Sequence, residues 1–96
     1  MSEVKRIIGM PWYTREDHPR ILKIMVDADE LHDSFDEFLV AAELGERDLQ
    51  RQGHTVVRAI IKPDDFLVRC REKGLQLDAY ARSEFAAVIA VRQIKQ

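Results

Sequence analysis

Apolar positions recur at helical spacing once the chain passes Asp17. Ile21, Leu22, Ile24, Met25 and Ala28 share one face, and Arg20, Lys23, Asp27 and Glu30 share the other. This predicts a first helix that starts near Glu16 or Asp17 and ends around Asp29 to Leu31. Pro19 falls in its first turn, where a missing N–H costs little. Ser34 followed three residues later by Glu37 has the form of a capping box, so a second helix starts there. Its main stripe is Phe35, Phe38, Leu39, Ala42 and Leu49, and Gly53 is a natural residue to end it. Val40 and Leu44 are an i, i+4 pair on roughly the opposite side, surplus to one core-facing stripe.

The period then changes. His54 to Lys62 is rich in β-branched residues and bounded by Gly53 and Pro63, which predicts a strand. Val57, Ala59 and Ile61 point one way, and Val56, Arg58, Ile60 and Lys62 the other. Pro63 opens a third helix with Asp64 and Asp65 in its first turn, where the macrodipole favours them; Phe66, Leu67 and Cys70 form its inner face and Gly74 ends it. Asp78 is the expected N-cap of a fourth helix reaching nearly to the C-terminus. That helix is apolar over more than half its circumference, through Tyr80, Ala81, Phe85, Val88, Ile89, Val91 and Ile94, so more than one side is expected to be buried. Val4 to Met10 is a weaker strand, cut short by Gly9 and Pro11. The expected fold is a small, mostly helical α+β domain in the order β(weak)-α-α-β-α-α with a small sheet. One strong strand cannot form a sheet alone, so it pairs with the N-terminal segment or with a second copy.

Length and composition narrow the class. The 96 residues, 46% hydrophobic and 33% charged, suit a single domain over 1–96 with a modest core. A net charge of −2 lacks the basic excess of a general nucleic-acid binder. One cysteine, Cys70, excludes an intramolecular disulfide and suggests a reducing compartment. The first ten residues have no signal-peptide core, and the longest apolar run, Phe85 to Val91, is too short to span a bilayer. A cytoplasmic protein with no membrane contact is expected.

Few residues are placed to carry chemistry. Asp29, His32 and Asp33 lie close together, but their spacing fits neither a calcium loop nor a two-histidine zinc site, and a solvated turn is the plainer reading; no metal is expected. His18, His32 and His54 stand at three element boundaries with no ligand spacing among them. Cys70 shares the apolar stripe of Phe66, which reads as an inert buried thiol. Trp12 and Tyr13 precede a helix whose first turns carry His18 and Arg20, and these four could bind an anionic or planar ligand; alternatively Trp12 fills the core edge. There is no phosphate-binding Gly loop, no G-x-S-x-G and no paired-Cys motif, so no cofactor is expected and the enzyme reading is weakened.

The stretch from Val57 to Phe66, with Gly74 through Phe85, is similar in element order to a ribbon-helix-helix module, a dimer whose paired strands enter the DNA major groove. On that reading, which takes in residues 54–95, Arg58 and Lys62 face DNA. The short first helix, the long connector after Gly74, Val56 and Ile60 on the supposed DNA face, and the acidic charge all oppose it. Pro11-Trp12-Tyr13, the run Glu16-Asp17-His18-Pro19-Arg20-Ile21-Leu22, and Gly53-His54-Thr55-Val56-Val57-Arg58 resemble a family of short uncharacterised bacterial proteins. The resemblance covers most of the chain. It implies a bacterial source and brings no activity, ligand or site. The surplus apolar surface instead points to a non-enzymatic domain that self-associates, as a homodimer or larger, and binds something through its surface. The expected contact is the C-terminal helix, through Phe85, Ile89 and Val91, with either the strand edge or the Val40 and Leu44 stripe as a further patch.

Overall fold

The β-branched run of the strong strand finds its partner in the N-terminal segment. In the computed structural model, which describes residues 5–94, β1 (Ile7–Trp12) and β2 (Thr55–Ile60) form a two-stranded parallel sheet with Ile7 opposite Thr55 and Trp12 opposite Ile60. Val4 and Lys95, the ends of two segments read above, lie outside the described residues. Between the strands come α1 (His18–Ile24), a 3-10 turn (Ala28–Glu30) and α2 (Phe35–Arg51); α3 (Pro63–Lys73) and α4 (Ala79–Ile94) follow β2. The class is α+β, as expected.

β1 runs straight through the Gly9 and Pro11 that were expected to end it. Thr55 N–H donates to the Arg6 carbonyl and Ile61 N–H to the Trp12 carbonyl, so the even-numbered residues of β1 bond inward. Pro11, an odd position, would have aimed its N–H away from β2, and its missing donor costs the ladder nothing. Gly9 has a different reason. A Cβ there would lie 2.2 Å from the Ala86 carbonyl oxygen and 2.9 Å from the Ala90 Cβ. Only a residue without a side chain lets α4 lie this close to the sheet.

A parallel sheet needs cover on both faces. α4 covers the face of Gly9, turning Ala86 and Ala90 toward it. α2 covers the face of Met10, Trp12 and Arg58: the edge of the Trp12 ring meets Phe38, and Met10 reaches to Gly45. Beyond the C-terminal ends of the strands lies the main core, where Tyr13 and Ile61 join Ile21, Met25, Phe66, Cys70, Ala81 and Phe85.

The helix ends follow the sequence with two corrections. α1 stops at Ile24, well short of Asp29, because Met25 turns to extended backbone and Val26 N–H bonds the Leu77 carbonyl instead of continuing the helix. Ser34 does cap α2, accepting from Glu37 N–H at 3.1 Å, but the Glu37 carboxylate accepts a hydrogen bond from the Ser34 hydroxyl rather than from a backbone N–H. Asp78 caps α4 through Ala81 N–H, and Gly53 and Gly74 close α2 and α3 at positive φ. The expectation that Phe85 and Ile89 belong to an outer contact is corrected as well. Phe85 is buried in the core and Ile89 packs against it; of the three residues named, Val91 alone is exposed.

Gly9→Ala should destabilise the fold by about 1–3 kcal/mol or more, because neither the Ala86 backbone nor β1 can retreat. Ser34→Ala should cost about 0.5–2 kcal/mol. Urea denaturation midpoints measure both. A midpoint equal to wild type for Gly9→Ala would show that α4 does not rest on β1 in this way.

Candidate functional site

The four residues singled out as a ligand site part company in the fold. Trp12 is buried, with the Arg58 guanidinium 4.1 Å above its ring and Phe38 against its edge. Glu46 holds Arg58 there through two hydrogen bonds of 2.8 Å. Tyr13 is buried beside Phe38, at 4.9 Å between ring centres, and His18 is buried against Phe35 and Phe38. These rings satisfy one another as an aromatic cluster that joins β1 and α1 to α2. Arg20 alone reaches solvent, where it pairs with Asp64.

Arg20 lines a cleft of about 250 Å³ with Asp17, Lys62, Pro63, Asp64 and Asp65. Its charges are mixed, and the first turn of α3 already carries its own carboxylates. Lys62 sits in this cleft as the residue before α3, while Arg58 is turned under α2, so the two cations of the DNA reading serve different surroundings. Moreover, β2 pairs in parallel with β1 of its own chain, where a ribbon-helix-helix strand would pair with a second copy.

The remaining candidates are placed as follows. Cys70 is buried, with its Sγ 3.8 Å from the Gln76 carbonyl oxygen, and burial pushes its pKa up, which disfavours the thiolate. His54 accepts the Arg6 N–H through Nδ1 at the start of β2. Asp29, His32 and Asp33 are exposed; among the described residues no group of three or more His, Cys, Asp or Glu side chains converges as a metal site.

One polar cluster escaped sequence reasoning. Asp27, read on the polar face of the first helix, and Arg82, not singled out at all, form a largely enclosed pair with bonds of 2.7 and 2.9 Å, Arg82 buried and Asp27 half-buried. Arg82 also lies 3.4 Å from the Met25 sulfur. Arg82 holds the Asp27 carboxyl below its ordinary range, with the Ala79 N–H helping. Tyr13 lies close to both charges, and burial raises its pKa to about 12. The only signal in the sequence was a cation beside Ala81, three residues before Phe85, on the side of the helix that those two apolar residues share.

Apolar surface also stands open at several places, among them a cleft lined by Val26, Leu67, Leu75 and Leu77. Ile7, Gly9, Ala87, Ala90, Val91 and Ile94 line a groove of about 230 Å³ between β1 and α4. Val40, Ala41 and Leu44, rimmed by His32, Asp36 and Glu37, line a second, shallower one on α2. Val40 and Leu44 are exposed, as expected for a stripe surplus to the core. No helix among the described residues is long and apolar enough to cross a membrane. No family model, curated protein or solved structure matches the chain.

His18 supplies a pH test of the aromatic cluster. Burial, and secondly the neighbouring His32, lower its pKa from 6.5, against a backbone bond to His32 that works the other way. The unfolded chain therefore takes up a proton that the folded chain resists. The stabilisation is complete above the unfolded value and is lost as pH falls below it, with a slope of at most about 1.4 kcal/mol per pH unit for one proton. Asp27, Glu46 and Glu84, whose pKa values are held below the ordinary carboxylate value, respond at lower pH. His18→Phe should flatten the dependence just below pH 6.5 in denaturation series. A slope as steep as wild type would show that His18 is not held neutral.

Proposed function

We propose that the protein is a non-enzymatic interaction module that works by self-association. The observation that carries this reading is the outer face of α4. Tyr80 is 69% exposed, Val91 51% and Ile94 48%, and Ile7 on the adjoining strand is 57% exposed. These are large apolar side chains on one continuous side of the molecule, and such patches mark contact surfaces. Each half-exposed aliphatic side chain forgoes on the order of 1 kcal/mol that burial against a partner would recover. From Ala81 to Ala90 the interior face of the same helix packs against the sheet and core, and among the described residues nothing covers the outer one.

The two other readings have less support. A ligand would have to displace buried rings to reach Trp12, Tyr13 or His18. DNA would have to compete with Glu46 for Arg58. A reducing, cytoplasmic setting suits a chain whose one thiol, Cys70, is buried and free.

Light scattering coupled to gel filtration tests the proposal. At micromolar protein the mass should be twice the 11.2 kDa of the chain, or a higher multiple. A mass of 11.2 kDa at every concentration would refute self-association.

A further inference from the structure

The outward positions of α4 are Tyr80, Ser83, Ala87, Val91 and Ile94, opposite the buried Ala81, Arg82, Phe85 and Ala86. Their spacing is symmetric. Tyr80 and Ile94 each stand seven residues from Ala87, which is about 10.5 Å along the axis. At one end of the stripe is a protruding ring, the most exposed large apolar side chain described. The other half of the stripe, from Ala87 to Ile94, borders the groove that α4 forms with Ile7 and Gly9.

Resting on the self-association reading above, we infer that two copies pair through antiparallel α4 helices. A two-fold axis passes at Ala87, and Tyr80 of each copy seats in the β1–α4 groove of the other. An antiparallel two-fold at Ala87 carries position 80 onto the level of position 94, so one operation matches knob to groove twice. Ala87 is small enough for the helices to approach closely at the axis. A side chain near a two-fold axis meets its own image, so a charge there repels itself; none of the five outward residues is charged. The flanking Glu84 is already held by Arg69 at 3.0 and 2.6 Å. Antiparallel helices also oppose their macrodipoles.

Size agrees with this assignment. A standard interface buries about 800 Å² per partner, about an eighth of the 6558 Å² surface of this chain. Half the circumference of α4 along its roughly 24 Å amounts to about 400 Å², so the edge of β1 has to supply the rest of such a face. One alternative two-fold contact, β1 adding to β1 as an extended sheet, is blocked where Pro11 stands on the outer edge without an N–H to give; the other, the Val40 and Leu44 patch of α2, is rimmed by the carboxylates of Asp36 and Glu37.

Oxidative cross-linking tests the axis, because a disulfide forms only between Cβ atoms about 4 Å apart. Under a mild oxidant, Ala87→Cys should convert most of the protein to a covalent dimer. Ser83→Cys, equally outward but about 12 Å from its own image, should not, and wild type with only buried Cys70 should not. Tyr80→Ser should raise the dimer dissociation constant on the order of tenfold or more without loss of helical signal. A protein that is dimeric by mass but in which Ala87→Cys fails to cross-link, or Ser83→Cys cross-links as readily, overturns the axis and leaves self-association standing. A monomeric mass overturns both.

Discussion

The Asp27 carboxylate and the Arg82 guanidinium meet through two hydrogen bonds where little water reaches them. Charges taken out of water are costly, and only a close, well-directed partner repays the cost. Few arrangements of the chain satisfy both groups at once, and the observed one ties residues 55 positions apart. It brings the end of α1 against the first turns of α4. It also accounts for the early end of α1, since an α1 continued to Asp29 would carry Asp27 away from Arg82. The backbone bond from Val26 to the Leu77 carbonyl closes the same junction from the other side.

With its N-terminal end fixed there, α4 runs back over the sheet. Gly9 lets it settle onto β1 through Ala86 and Ala90, and Phe85 enters the core beside Phe66. From Ala81 to Ala90 the inner side of α4 is then engaged, and the opposite side is left as a stripe of apolar and small residues. The same clamp that completes the fold therefore defines the surface offered to a partner. On the far face of the sheet, α2 spends Phe35 and Phe38 on His18, Tyr13 and Trp12, which is why the aromatic residues near the N-terminus form a core and not a pocket.

Much of this was legible in the sequence, for local reasons. Ser34, Pro63, Gly74 and Asp78 mark helix ends by the backbone geometry they permit or the N–H they satisfy, and each stands where it was expected. The surplus stripe of Val40 and Leu44 and the buried Cys70 followed from helical period. What was not legible depends on tertiary context. Gly9 and Pro11 read as strand breakers because their effect on β1 is decided by which edge each faces and how near α4 comes. Asp27 and Arg82 looked like two unrelated charges, since nothing local pairs residues so far apart. The fourth helix read as apolar on several sides, but only packing could assign Phe85 and Ile89 inward and Val91 outward.

If the buried pair sets the junction, its two members must act as one unit. A double-mutant cycle on Asp27→Asn and Arg82→Met, followed by urea denaturation, measures this directly. Each single change leaves a buried charge or its partner unmatched and should cost about 3–5 kcal/mol. The double variant should lose clearly less than the sum of the two. Additive losses, or single losses below about 0.5 kcal/mol, the range of an ordinary surface substitution, would contradict the account and place the organising contact of the fold elsewhere.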